Sequence, residues 1–424
     1  MLWLHAFDIL MLSPAMSDAL NKHHNSFQDA WTNALVATAR HRVWWTRDAL
    51  HGDGNCWREA LAGLSGACVA FIDEGVANAW PGIAECMHAV VANASATKNI
   101  LVGDSATDNF ASCANTSPLT LQAVEIIPGG EICKHGMHYA HRVARACFEF
   151  GISRHGCVIA VGGGAVLDAV GFGAAMAHRG VALVRLPTTT LSQDDSAMGV
   201  KCGVNDFENK NALGCFVVPH AVVCCERLLT TQPLEYWLGG FSEAVKIALL
   251  KDPQLFEQLE LHAAALCARD MNAARPIIRR SAQLHRDHII NGGDAFETGS
   301  ARPLDHGHWA AHRLEVISDW KLPHGQAVAI GIALDSCIAQ QLGLLAPAIC
   351  ARILALLRVL QLPAWHPLLQ PIPRLMQGLE QFRQHLGGKL SLPLLRDIGS
   401  FTEVSELSVS VLQAAVAQLE CNRP

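Results

Sequence analysis

The chain has 424 residues, 50% of them apolar and only 17% charged, which is enough to bury a large core and, at this length, to build two domains. Its 32 Lys and Arg against 38 Asp and Glu leave a formal charge of −6, so there is no overall basic field for wrapping nucleic acid and a small-molecule substrate is expected. The 15 cysteines, Cys157, Cys202, Cys215, Cys224 and Cys225 among them, lack the paired spacing of a zinc finger or a small disulfide scaffold. They read as small buried apolar residues in a reducing compartment.

In chain order, Met1–Ala15 is apolar but is interrupted by His5 and Asp8 and has no basic start. It is too short and too polar for a membrane span, so no membrane segment and a cytoplasmic location are expected, with an organellar leader in the first ~40 residues left open. Ala67–Asp73 reads as a buried strand ending in an acid, followed by a helix over Ile83–Ala94. Cys157–Val161 is a second apolar run; it meets Gly162, Gly163 and Gly164, then a helical Ala165–Ala177 and a strand Ala182–Leu186 stopped by Pro187. Alternating strands and helices predict a parallel, doubly wound sheet.

Asp195–Gly214 reads as a loop-rich stretch carrying Lys201, Lys210 and Asn211, either a substrate-binding loop or a surface excursion. After about Leu234 the period becomes helical, over Phe241–Leu250, Gln254–Ala268, Arg275–Ile290, His306–Ile317 and Val328–Leu342. An all-helical second half is therefore expected. Pro363, Pro367, Pro371 and Pro373 interrupt it before the last helices and a short strand near Leu390–Leu395.

Two clusters carry chemistry. The three glycines between a strand and a helix let backbone amides approach a bulky anion such as a pyrophosphate, although glycines also mark plain tight turns. Asp168 is placed on the first turn of the following helix, Asp73 at a strand end within reach of a ribose, and Thr188 and Thr189 past a strand end, where they either face a ligand or cap a helix. His308 and His312 share one helix face, so either or both can reach a common ion; adding Glu243 and His324 makes a donor set typical of a catalytic zinc with an open position. Glu243 and Lys246 lie on the same side of a helix, and their neighbours Phe241, Ala244, Val245 and Ile247 argue against a solvated surface pair.

These phrases together resemble the 3-dehydroquinate synthase family of NAD- and zinc-dependent sugar-phosphate cyclases. The matching stretches are Pro128–Glu131, Gly162–Asp168, Arg179–Gly180, Pro187–Thr189, Asp195–Lys201, Asn205 with Lys210 and Asn211, Glu243–Lys246, Gly307–His308 with His312, and His324–Gly325. The resemblance implies a Rossmann-like α/β domain followed by an all-α domain, with residues 1–45 as an extension, 46–234 holding NAD, and 235–424 holding metal and substrate. It implies zinc, or cobalt, on Glu243, His308 and His324, with His312 facing the substrate. Asp73, Glu131, Lys134, Gly163, Gly164, Asp168, Thr188 and Thr189 match NAD contacts, beside Gly162, and Lys210 matches a further lysine on the cofactor side. Asp195, Lys201, Asn211 and Lys246 match substrate positions, and Arg179 matches an arginine that reaches into a neighbouring subunit, which implies a homodimer. The implied reaction is transient oxidation of a hydroxyl, loss of phosphate, return of the hydride and closure of a carbocycle, with NAD unchanged overall. A polyol dehydrogenase that releases NADH and a non-catalytic cofactor-binding protein are the alternatives.

The chain also departs from the family pattern. Asp305 stands in place of a substrate-contacting amide, Ala301 in place of an arginine with Arg302 one position away, and Gln326 in place of a glutamate; by counting, Asp287 replaces a phosphate-binding lysine and Arg383-Gln384 a lysine pair. Fewer cationic partners and added carboxylates weaken a doubly charged anion site, so a sugar phosphate or polyol other than the usual shikimate-pathway substrate is expected. The phrases Ser300–Asp305 and Phe382–Gly388 resemble the EboD-type branch, which accompanies specialised-metabolite clusters.

Overall fold

A six-stranded sheet organises the first half of the chain in the computed structural model, which describes residues 39–51, 54–96, 117–292, 296 and 303–422. Its strands are β1 (Val43–Thr46), β2 (Gly66–Asp73), β3 (Leu119–Ile127), β4 (Cys157–Gly162), β5 (Ala182–Pro187) and, after the pair β6 (Lys201–Asp206) and β7 (Asn209–Phe216), β8 (Ala221–Cys225). The order is β1-β8-β5-β4-β2-β3 and every neighbouring pair is parallel. All residues of β4 and β8 are buried, as expected where helices cover both faces.

Helices α1 (Gly54–Ala60), α2 (Glu74–Ala79) and α3 (Ile83–Ala96) precede β3; α4 (His138–Glu149) and α5 (Gly164–Met176) flank β4. Alternation along β2 sorts its side chains: Cys68, Ala70 and Ile72 pack with Trp57, Met87 and Val91 on one face, whereas Val69 and Phe71 pack with Val143, Val166 and Val170 on the other. The expected doubly wound α/β layer is present. A boundary after residue 45 would fall inside β1, because Val43–Thr46 pairs in register with Val222–Cys225.

The Asp195–Gly214 stretch is not a loop. A tight helical turn at Ser192–Ser196 leads into the antiparallel hairpin β6–β7, whose turn residues Phe207 and Glu208 adopt φ of 50° and 57°. Such a turn is ordinarily flagged by Asn-Gly or Asp-Gly, so this one was silent in the sequence.

After the short α6 (Glu226–Leu229), helices α7 (Leu234–Lys251), α8 (Pro253–Cys267), α9 (Met271–Asn291), α10 (His308–Ile317), α11 (His324–Gln341), α12 (Pro347–Val359), α13 (Ile372–His385) and α14 (Val409–Cys421) share one apolar core. The second half is not wholly helical: β9 (Leu392–Asp397) and β10 (Ser400–Val404) form a hairpin before α14, with Leu392, Leu394 and Leu395 buried in that core. α7 and α11 are buried almost all round, as apolar central helices are. A Cβ at Gly325 would lie 2.2 Å from the carbonyl of Gly239, and one at Gly331 would lie 1.9 Å from that of Gly307. Glycine at these positions lets the backbones of α7, α10 and α11 meet, which brings Glu243, His308 and His324 within reach of one another. No helix among the described residues is long and apolar enough to cross a membrane.

Candidate active site

The chain leaves β2 towards β3 on one side and β4 towards β5 on the other, so the crevice at the carboxyl ends of β2 and β4 is a topological switch point, where α/β sheets bind ligands. It opens into a cleft of about 1450 Å³ that runs between the sheet and the helical half. Asp73 ends β2 and caps α2, with its Oδ1 accepting from the amides of Gly75 (2.8 Å) and Val76 (3.4 Å); burial raises its carboxyl above the usual range. Gly163 is the N-cap of α5 and lines the cleft with Gly164. Gly162 lies beneath them, and its glycine serves packing: a Cβ there would meet Val166 at 2.8 Å. Thr188 and Thr189 line the same cleft, and the Thr189 hydroxyl also bonds Ser192 at 2.9 Å, tying down the turn that follows. Asp168 stands one turn into α5 rather than in its first turn, because the helix begins at Gly164.

From Asp168 a polar chain crosses the cleft floor. Lys134 Nζ reaches Asp168 Oδ2 at 2.7 Å and Asn211 Oδ1 at 2.6 Å; the Asn211 amide bonds Asn205 Oδ1 at 2.9 Å, and Asn205 Nδ2 bonds Glu131 Oε2 at 2.7 Å. Lys210 Nζ is 3.5 Å from Glu131 Oε1 and ion-pairs with Glu315 on α10. Burial works to neutralise these groups, but the pairing overrides it: Lys210 and Lys134 hold Glu131 down at about 2, and Asp168 and Glu131 hold Lys134 above its usual range. Lys134, Lys210 and Glu315 are buried, so the chain is a set of paired charges, not a solvated surface.

At the far end of this chain three helices converge. Glu243 on α7 is 1% exposed, and its Oε1 lies 3.4 Å from His308 Nε2 and 3.6 Å from His324 Nε2. One donor atom from each of these residues falls within 4.8 Å of the others. The outer nitrogens are turned away: His308 Nδ1 is 3.1 Å from the carbonyl of His306, and His324 Nδ1 is 3.1 Å from Glu315 Oε2. Neither oxygen of Glu243 accepts a well-formed hydrogen bond, although the Lys246 ammonium touches Oε2. Burial opposes its charge, but Lys246 and His308 hold the carboxyl well below the usual range. An ionised, underbonded carboxylate facing two Nε2 atoms whose partner nitrogens are engaged is the donor set a divalent cation fits. His312, Glu315 and His324 also cluster, but there the Lys210 ammonium already supplies the positive charge beside Glu315.

His312 lines the cleft beside the trio, and burial, with Lys210 and His308 adding to it, holds its imidazole neutral. Lys246 Nζ is buried against Glu243 and lies 4.0 Å from Asp195 Oδ1. Burial lowers its pKa, yet Glu243 and Asp195, with Asp305 behind them, hold it above the usual value. Asp195 Oδ1 is 2.7 Å from His285 Nδ1; burial raises this carboxyl, and His285 and Lys246 outweigh it. Lys201 stands at the start of β6 on the cleft wall.

Several expected positions fall elsewhere. Arg179 is exposed and does not line the cleft of its own chain. Asp287 pairs with its neighbour Arg286 at 3.2 Å and is outside the cleft; the helix period turns His285, His288 and Ile289 towards it instead. Arg383 and Gln384 both bind Glu380 on the outer side of α13, leaving Gln381 and Phe382 to face the cleft. Asp305 lines the cleft, Gln326 does not, and Ala301 and Arg302 lie outside the described residues. His285 and Glu315 escaped the sequence reading. Glu315 carried a usable signal, since it stands three residues after His312 on the same helix face; His285 carried none.

Comparison with known proteins adds three kinds of finding. The family pattern described as 3-dehydroquinate synthase N-terminal matches residues 124–238, and that described as 3-dehydroquinate synthase C-terminal matches residues 240–383. The chain is 34% identical to a 3-dehydroquinate synthase of Halorhodospira halophila over 296 residues, covering 68% of this chain and 83% of that protein. It is 35% identical to a 2-epi-5-epi-valiolone synthase of Streptomyces glaucescens over 301 residues, 70% of this chain and 77% of the other. A 2-epi-5-epi-valiolone synthase of Streptomyces hygroscopicus subsp. jinggangensis 5008, solved with NAD+ and Zn2+ bound, superimposes with a TM-score of 0.79 at 28% identity over 93% of this chain and 100% of its own.

Proposed function

Since the chain belongs to the 3-dehydroquinate synthase family, we propose that it is a sugar-phosphate cyclase, a carbon–oxygen lyase that releases phosphate and uses NAD in the glycine crevice and zinc or cobalt on Glu243, His308 and His324. The observation that carries this reading is the convergence of those three side chains at one end of the cleft whose other end is the switch-point crevice. When bound, NAD and the ion supply transient oxidation of a substrate hydroxyl and polarisation of its oxygen.

The protein's own groups do the rest. Lys246, desolvated but kept cationic by Glu243 and Asp195, stabilises negative charge developing on a substrate oxygen, and such preorganised charge is strongest where water is excluded. His312, neutral through burial, is free to hold a proton in transit. Lys201 and Asn211 bind substrate oxygens from the β6–β7 hairpin, and His285 keeps Asp195 in place beside Lys246.

Asp195, Glu243 and Asp305 surround Lys246 with carboxylates, and Arg383 is turned out of the cleft, where it binds Glu380. Each missing charge-assisted contact forgoes roughly 1.5–3 kcal/mol. The substrate is therefore a sugar phosphate or related polyol other than the shikimate-pathway one, in specialised metabolism of the EboD type, handled in the cytoplasm. Arg179, exposed and outside its own cleft, serves the site of a second copy in a homodimer.

The test is to incubate the protein with NAD, zinc and a panel of seven-carbon sugar phosphates and to follow phosphate and carbocycle by mass spectrometry. Phosphate release without net NADH is expected. A steady rise in reduced-nicotinamide absorbance would establish a polyol dehydrogenase instead, and turnover of no substrate by the cofactor-loaded protein would favour a non-catalytic role.

A further inference from the structure

We propose that Glu315 is a positioning residue which decides the nitrogen that His324 offers to the ion, by keeping the Lys210 ammonium from claiming the imidazole; the inference rests on the metal reading above. The two oxygens of Glu315 are divided between partners. Oε1 ion-pairs with Lys210 Nζ, and Oε2 lies 3.1 Å from His324 Nδ1. The same Lys210 Nζ lies 3.3 Å from that Nδ1.

A neutral imidazole has one N–H and one lone pair, a lysine ammonium only donates, and a carboxylate only accepts. Nδ1 therefore either donates to Glu315 or accepts from Lys210. In the first arrangement the lone pair sits on Nε2, which faces Glu243 Oε1 at 3.6 Å and is free to bind the ion. In the second, Nε2 carries the hydrogen and cannot ligate. His308 meets no such competition, because its Nδ1 faces a backbone carbonyl, that of His306, at 3.1 Å. Of these two histidines, His324 alone has a donor and an acceptor at the same nitrogen.

Lys210 has a second anchor in Glu131 Oε1 at 3.5 Å, on the cofactor side of the cleft. Neutralising Glu315 would leave the lysine held close to His324 by Glu131 and unopposed at Nδ1. The loss should then be reversible by removing the lysine, which distinguishes control of the imidazole from loss of packing.

The experiment measures zinc affinity of the full chain by competition with a chromogenic chelator, for the wild type, Glu315→Gln, Lys210→Met and the double variant. Glu315→Gln is expected to weaken zinc about 10- to 100-fold. Lys210→Met should stay within about threefold of the wild type, and the double variant, which removes both charges of the buried pair, should recover most of the loss. Affinity of Glu315→Gln within about twofold of the wild type, while Glu243→Gln abolishes zinc binding, would overturn the role of Glu315 and leave the metal site standing. A double variant no tighter than Glu315→Gln would overturn it equally. A wild-type protein that takes up no zinc would overturn this inference and the metal reading together. Should Glu315→Gln fail to fold, Lys210→Met and the double variant still decide: both near wild type supports the proposal, and both as weak as Glu243→Gln sinks it.

Discussion

The two ends of the cleft are built in opposite ways. At the sheet end, the groups that line the cleft come largely from short stretches at strand ends, Asp73, Gly163 to Asp168, and Thr188 to Thr189, presented by a parallel sheet whose order alone places the crevice. At the helical end, Glu243, His308 and His324 come from three helices spread over 82 positions of sequence, and each owes its place to tertiary contacts such as the approach of Gly325 to Gly239. The first kind of site is set by strand order and local backbone, the second by packing between helices distant in the chain.

The comparison is sharpened most by Lys246→Met, which removes a cation from the helical end while leaving the three donor side chains in place. Turnover should fall roughly 10²- to 10⁴-fold with zinc still bound, read by phosphate release and metal analysis. Loss of zinc instead would mean that Lys246 holds Glu243 rather than the substrate.

Next comes His306, fully buried, with Nδ1 2.8 Å from the carbonyl of Pro393 in β9. Burial pushes its imidazole down to about 4 from 6.5. Between those values the unfolded chain binds a proton that the folded chain refuses, so the stability this group contributes is complete above pH 6.5 and is lost as pH falls towards 4, up to roughly 3 kcal/mol. His306→Gln, which keeps a donor for Pro393, should flatten the fall of Tm over that window. An unchanged slope would show that other groups carry the acid sensitivity.

At the sheet end, Gly163→Val should weaken NAD by about tenfold or more, because a Cβ there meets Thr189 at 3.3 Å and its branches enter the cleft, while zinc affinity is unchanged. A matching loss of zinc would break the separation of the two ends. The smallest effect is expected of Phe207→Ser at the hairpin tip, 70% exposed, within about 0.5 kcal/mol of the wild type by denaturant unfolding.

Local chemistry explains what could be read in advance. Three glycines between an apolar run and a helix announce a strand-turn-helix, and Cys157–Gly162 followed by Gly164–Met176 is that unit. The β6–β7 hairpin gave no such signal: Phe207 and Glu208 take positive φ without the usual turn residues. Counting back from the segment 294–299 marked Asp287 as the position of a phosphate-binding lysine, but the helix phase of α9 turns His285, His288 and Ile289 towards the cleft and leaves Asp287 outside it. On α13 the Arg383-Gln384 pair, expected in place of two lysines, binds Glu380 while Gln381 and Phe382 line the cleft.

The sequence by itself determined the elements whose cause is local: the apolar strands, the glycine turn after β4, the amphipathic and apolar helices, and which residue types were available as ligands and bases. Only the tertiary structure decided which of those side chains share a space, because helix phase, the glycine contacts between α7, α10 and α11, and the pairing of Lys210 with Glu315 are set by packing between segments distant in the chain. A carboxylate and two imidazoles become a donor set only when burial strips their water and a third partner fixes each free nitrogen, and no spacing along the chain encodes that.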